Sequence, residues 1–222
     1  MKKLFGKKVF KNKLNIPTMM KFVATKSILK NFSEIKNLAS YIEEGVILLP
    51  ETSFDSQIVG TNLEELTEYT SNYPVTIIGE KDSQVHILKK GKIISAQVKS
   101  SPFNNSLYKK TNQFYNISYN PKINVRALIR ICSDAIKPYK GKEKADLLLI
   151  PSCGINWGEK IEELLEVHKE SLKPDALIIH SGAYVELYPE LGNQFIYSLK
   201  HKSFVGIKKE ISQKHNYIIY AH

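Results

Sequence analysis

The sequence predicts an α/β fold in which strands and helices stack as a layered sandwich. Three observations carry this. Short all-apolar runs such as VILLP (46–50), VTIIG (75–79) and ADLLLIP (145–151) read as strands buried on both faces. Between them lie segments with apolar residues at helical spacing, as at Phe32, Ile35, Leu38 and Ile42. Near the C-terminus three short strand-like runs follow one another without a helix, so the alternation ends in hairpins. A chain of 222 residues with a hydrophobic fraction of 42% is sized for one domain that buries its own core.

The elements follow in order. Residues 1–19 carry six lysines and no acidic residue, and read as a basic N-terminal extension ahead of a single domain over 20–222. The extension starts like a signal peptide but lacks the apolar central region and the small-residue cleavage site. MKFVAT (20–25) is a first strand, 31–44 a helix stopped by Gly45, and 46–50 a central strand. Thr61 and Glu64 form a capping-box signature for a helix over 62–70. Strands follow at 75–79, 84–88 and 92–98, the last two joined by a turn at Lys89-Lys90-Gly91. Residues 100–122 show no period and read as loop. VRALIRI (125–131) is a strand ending at Cys132, followed by a short helical stretch and the strand 145–151. A helix over 158–173 would bury Ile161, Leu164, Leu165, His168 and Leu172. ALIIH (176–180) and the runs 194–199, 203–207 and 217–221 complete the strands.

Composition excludes several classes. No run of about 18 apolar residues exists, so no transmembrane helix is expected. Two cysteines do not make a disulfide framework, and free thiols fit a reducing cytoplasm. The net charge of +10 raises nucleic acid as a partner. Against this, Arg126 and Arg130 are the only arginines, whereas nucleic-acid readers lean on Arg for bidentate contacts. The lysine, isoleucine and asparagine content fits AT-rich coding instead. Contact with nucleic acid through residues 1–19 stays as a separate hypothesis.

Three reactive side chains each end a strand-like run: Glu51 after VILLP, Lys99 after KIISAQV and Cys132 after VRALIRI. Strand ends in α/β folds hold side chains rigidly and converge on sites. A lone Cys after an apolar run is by default a buried thiol. A lone Glu51 is a solvated carboxylate, and a lone Lys99 is surface charge.

The motifs around these residues resemble the nitrilase superfamily of carbon–nitrogen hydrolases over roughly 20–222. VILLPETSF is similar to the family strand ending in Pro-Glu. GKIISAQVKSSPF (91–103) is similar, without gaps, to its Gly-to-Lys-to-Phe pattern at Gly91, Ile93, Lys99 and Phe103. LIRICSDAIKP (128–138) is similar to Ile-Cys-Tyr-Asp with a following Pro, and ADLLLIPS (145–152) to the Ala-Asp strand ending in Pro-Ser. Trp157 and GNQFIY (192–197) match more weakly. Lys99 stands 33 residues before Cys132, in keeping with the family.

The resemblance implies a four-layer α-β-β-α sandwich, here shortened, and a Glu51–Lys99–Cys132 triad that hydrolyses a C–N bond in a small amide. Glu51 would take the thiol proton, Lys99 and the backbone N–H of Ser133 would hold the oxyanion, and a thioester would form on Cys132. It implies no metal or organic cofactor, and a homodimer. Lys110, in Tyr108-Lys109-Lys110-Thr111, locally mimics the same lysine motif and is a rival for Lys99.

Two departures stand out. Many family members carry a second glutamate between the lysine and the cysteine, yet residues 100–131 contain no Asp or Glu. The family's Arg-Phe-Pro-Glu becomes Ile136-Lys137-Pro138-Tyr139. They motivate an alternative, a degenerate relative that binds a metabolite or partner without catalysis. Elsewhere the plain reading holds. Cys153 reads as structural beside the pocket, His180 as a satisfied polar residue and Trp157 as packing. Asp134 reads as a turn cap, and Glu162, Glu163 and Glu166 as a solvated helix face.

Overall fold

Two mixed sheets, each built around three parallel strands, frame the computed structural model. It describes residues 21–25, 32–42, 45–54, 63–98, 114–117, 125–153, 155–183, 193–210 and 216–221. The basic segment 1–19, Thr61, Lys99, Lys110, Phe103 and Gly192 lie outside these.

The first sheet opens with β1 (Lys21–Thr25), α1 (Phe32–Ile42), β2 (Gly45–Leu48), α2 (Leu63–Asn72) and β3 (Val75–Lys81). β1, β2 and β3 are parallel, so α1 and α2 serve as crossovers. β4 (Gln84–Lys89) and β5 (Lys92–Val98) extend the sheet antiparallel. Lys90 and Gly91 both have positive φ, 50° and 67°, the two-residue hairpin turn expected there. Asp82 and Ser83 make a second such turn before β4, at 53° and 65°.

The second sheet holds β6 (Phe114–Asn116), β7 (Arg126–Ile129), β8 (Ala145–Cys153) and β9 (Leu172–Ala183), the last three parallel. β10 (Gln194–Ser198) and β11 (Ser203–Val205) close it. A 3₁₀ turn, Cys132–Ile136, and α3, Ile161–His168, connect its parallel strands. Gly206, at φ 101°, lets the chain leave β11 and enter β12 (Ile207–Glu210) in the first sheet. β13 (Asn216–Ala221) then pairs with both β12 and β1.

Three elements differ from the sequence expectation. β6 lies where a loop was expected, a short edge strand whose pairing with β7 its local pattern does not announce. The helix expected over 158–173 stops at His168, because Leu172 already pairs with Ala145 and opens β9. Gly45 begins β2 instead of only ending α1.

Three apolar clusters account for the packing. Between the sheets, Val46, Leu48, Ile78 and Ile87 meet Ile129, Leu147, Leu149 and Ile179. Ile35, Leu38 and Ile42 of α1 and Leu66 of α2 pack on the outer face of the first sheet against Ile47 and Ile77. Leu164 of α3 and Trp157 pack on the second sheet against Leu148, Ile150 and Ile178. Alternate residues of β2 and of β8 thus enter different clusters, which is why both read as continuous apolar runs.

Two features inside this packing govern how stability responds to substitution and to pH. The Phe54 ring lies against Gly79, where an added Cβ would sit 2.6 Å from ring carbon Cε2. His168, fully buried on α3, meets the Ala135 carbonyl of the 3₁₀ turn through Nε2 at 2.7 Å. Burial holds its pKa down at about 4, outweighing the pull of that carbonyl. Burial likewise holds His180 at about 3.

Gly79→Ala is therefore expected to lower stability by about 1–3 kcal/mol in denaturant titrations, through the displaced Phe54 ring. The histidines predict an acid slope. The unfolded chain takes up protons below about pH 6.5 that the folded chain refuses until about pH 4. Stability should fall as pH drops through that window, by on the order of 3 kcal/mol for His168 alone. His168→Gln, which keeps a donor for Ala135, should flatten that slope in melting curves taken across the same range.

Candidate active site

β7 ends in a sharp reversal. Its backbone continues alongside β8 through the Arg130 N–H, which donates to the Leu149 carbonyl at 2.9 Å. Two residues later Cys132 takes φ 47°, a left-handed conformation unfavourable for any residue with a side chain. The Asp134 N–H then donates to the Ile131 carbonyl at 2.9 Å and closes the 3₁₀ turn. This elbow leaves Cys132 7% exposed, with its thiol donating to the Cys153 carbonyl at 3.4 Å.

Glu51 reaches the same place from the other sheet. It opens the turn after β2, and its backbone N–H donates to the Ser152 carbonyl at 3.3 Å. Its side chain is 7% exposed. Glu51 and Cys132 are thus tied to adjacent carbonyls, Ser152 and Cys153, at the end of β8. A second link joins the sheets at this end, where the Ser181 hydroxyl donates to the Thr25 carbonyl at 2.5 Å.

The elbow is braced from within. Arg130 is 1% exposed, and its Nε donates to the Lys137 carbonyl at 3.3 Å. Its Nη1 donates to the Ile129 carbonyl at 3.2 Å. Burial lowers the guanidinium's pKa, and Asp134 is the foremost group pulling it back up. Asp134 is itself 1% exposed and accepts from Lys137 Nζ at 2.7 Å. The turn-cap reading is not met at the N-cap, Ile131, which has no side-chain cap bond; Asp134 joins the turn through its backbone carbonyl, which accepts the Lys137 N–H at 3.0 Å. Sequence reading passed over Arg130, although an arginine inside VRALIRI was a usable signal.

The remaining expected residues fall as follows. Ser133 is exposed in the first step of the 3₁₀ turn. Lys99 and Lys110 lie outside the described residues; in sequence Lys99 directly follows Val98, the last residue of β5. Cys153 ends β8 in regular register with Ala183. Trp157 is buried in the cluster under α3. Glu162, Glu163 and Glu166 are exposed. His180 departs from its reading as a satisfied polar residue. Its ring lies 5.1 Å from that of Phe195, and neither ring nitrogen has a partner of good geometry, Asn193 being the polar side chain beside it.

Among the described residues no group of three or more His, Cys, Asp or Glu could hold a metal ion. No described helix is long and apolar enough to cross a membrane. A groove of about 410 Å³ between α1 and α2, lined by Lys36, Glu65, Tyr69 and Tyr73, shares no residue with the strand-end cluster.

No protein-family model and no curated protein matches the chain. Solved structures do. An amidase from Nesterenkonia sp. is 12% identical with a TM-score of 0.58, over 92% of this chain and 90% of that one. A mutant of the amidase from Nesterenkonia sp. AN1, showing covalent addition of the acetamide moiety of fluoroacetamide at its active site cysteine, is 12% identical with a TM-score of 0.55, over 92% and 90%. Nit3 from Saccharomyces cerevisiae, a member of branch 10 of the nitrilase superfamily, is 11% identical with a TM-score of 0.53, over 91% of each chain. At these identities the likeness is one of fold, and the chain has the fold of these nitrilase-superfamily proteins.

Proposed function

We propose that the chain is a carbon–nitrogen hydrolase of the nitrilase superfamily that cleaves a small amide through a thioester on Cys132. The observation that carries this reading is the pairing at the end of β8. The Cys132 thiol, in a left-handed elbow, and the Glu51 turn are bonded to neighbouring carbonyls of one buried strand end.

In this reading Glu51 takes the thiol proton as Cys132 Sγ attacks the amide carbon. Lys99, with Lys110 as its rival, and the Ser133 N–H hold the oxyanion of the tetrahedral intermediate. As the C–N bond breaks, Glu51 returns the proton to the leaving amine. Glu51 then takes a proton from water, whose oxygen attacks the thioester, and the acid leaves as Cys132 recovers its thiol. The domain spans 20–222 behind the basic extension 1–19. We assign it the full four-layer α-β-β-α stacking, a homodimeric state and a cytoplasmic location, with no metal or organic cofactor.

The second reading is a non-catalytic relative that binds a metabolite or partner. It is favoured by the absence of any acidic residue over 100–131, where many family members carry a second glutamate.

Ammonia release and thiol labelling separate the two. The catalytic reading expects iodoacetamide to alkylate Cys132 well before Cys153, read by peptide mass. Glu51→Gln should slow ammonia release from a small aliphatic amide by about 10²-fold or more, the range of a lost general base. A panel of small aliphatic amides should release ammonia with the parent and none with Cys132→Ala. Equal labelling of Cys132 and Cys153, with no ammonia released, refutes the hydrolase and leaves the binding protein.

A further inference from the structure

One buried carboxylate at these strand ends takes no part in the proposed hydrolysis. Glu80 stands near the end of β3, two residues after Ile78 of the sheet–sheet core. Side chains alternate along a strand, so Glu80 shares that inward face. Its cross-strand partner Val85 belongs to the same core. The residue is 2% exposed. A carboxylate that deep is costly without donors, so what it binds is informative.

It binds the turn that carries Glu51. The Thr52 N–H donates to Glu80 Oε2 at 2.5 Å. Phe54, two residues on, donates its N–H to the Glu80 carbonyl at 2.9 Å. Between them the Ser53 hydroxyl donates to the Pro50 carbonyl. Thr52 has φ 66°, a conformation that a β-branched residue adopts only when its surroundings impose it. No glycine relieves that strain in the sequence Pro50-Glu51-Thr52-Ser53-Phe54. The bond that the Thr52 N–H donates to the Glu80 carboxyl group constrains Thr52 from outside the turn.

We propose that Glu80 is a positioning residue for Glu51. Its carboxylate clamps the left-handed turn by the Thr52 N–H and so holds the Glu51 carboxylate on the Cys132 side of the β8 end. The proposal rests on Glu51 being the base for Cys132. Geometry is the operative quantity, since a base displaced by about 1 Å can cost on the order of 10²-fold in rate.

Substitutions at Glu80 separate reach from charge. Glu80→Gln keeps the length and an acceptor oxygen for Thr52. Glu80→Asp keeps the charge but shortens the side chain. The measurement is the rate of ammonia release from a small aliphatic amide, with iodoacetamide labelling of Cys132 and Cys153 in the same chain and the melting temperature alongside. Glu80→Gln is expected within about threefold of the parent. Glu80→Asp and Glu80→Ala are expected to release ammonia about 10- to 100-fold more slowly, with the labelling of Cys153 unchanged. Adding Thr52→Gly to Glu80→Asp should restore part of the rate, because glycine adopts the left-handed turn without a clamp. If Glu80→Ala does not fold, the Gln and Asp pair still decides the matter. A parent-like rate in Glu80→Asp, or a slow Glu80→Gln, overturns the positioning role while leaving Glu51 as base. A parent-like rate in Glu51→Gln removes the base and this proposal with it.

Discussion

The site depends on two consecutive carbonyl groups at the end of β8. Ser152 accepts the Glu51 N–H from the opposite sheet, and Cys153 accepts the Cys132 thiol from the neighbouring strand. β8 is an apt place for such a fixed point. It lies between two parallel partners, β7 and β9, and its residues 147–152 are buried. Strands with that many buried contacts open last in a native protein. The Thr25–Ser181 bond ties the sheets at the same end, so a slip between them would break polar bonds as well as apolar packing.

The local backbone works against stability there. Cys132 and Thr52 both sit at positive φ, and each such residue costs of order 1–3 kcal/mol. That cost is offset from three sides. Lys137 pairs with the buried Asp134 while its carbonyl accepts from Arg130 Nε, His168 of α3 meets the Ala135 carbonyl, and the Glu80 carboxylate accepts from the Thr52 N–H. Burying Arg130 and Asp134 adds little net stability, since desolvating their charges consumes most of what their partners return. The effect is geometric: once both are inside, each loses most if its partners move away. The braces therefore fix where the thiol stands more than they raise the melting temperature.

Much of this was legible in the sequence, for a physical reason. A strand buried on both faces must be apolar throughout, so VILLP, VTIIG and ADLLLIP announce themselves. Glu51 and Cys132 stand out as candidates because each directly follows such a run, and the structure brings both to the end of β8. β6 was not legible, because Phe114-Tyr115-Asn116 is a short edge strand defined only by its pairing with β7. The early end of α3 was not, because Leu172 suits a helix face as well as a strand and long-range pairing with Ala145 decides. Glu80 and Arg130 were passed over for a common cause. A charge at the end of an apolar run reads as solvated until the opposite layer is seen to cover it.

The fold is shared with amidases at about 12% identity, which separates what the fold requires from what the chemistry requires. Burial patterns can be met by many sequences, so layers persist while identities drift. The two cysteines make the contrast inside one chain. Cys153 closes β8 and Cys132 follows the end of β7, and the two strands are neighbours. Cys153 continues a regular ladder with Ala183, so its backbone is committed to the sheet. Cys132 has left the ladder and turned left-handed, with a 3₁₀ turn starting at its own position. Its thiol consequently lies beside a strand end that already holds a glutamate turn. The difference between an inert thiol and a candidate nucleophile lies here in one backbone angle and in what the neighbouring strand end has gathered around it.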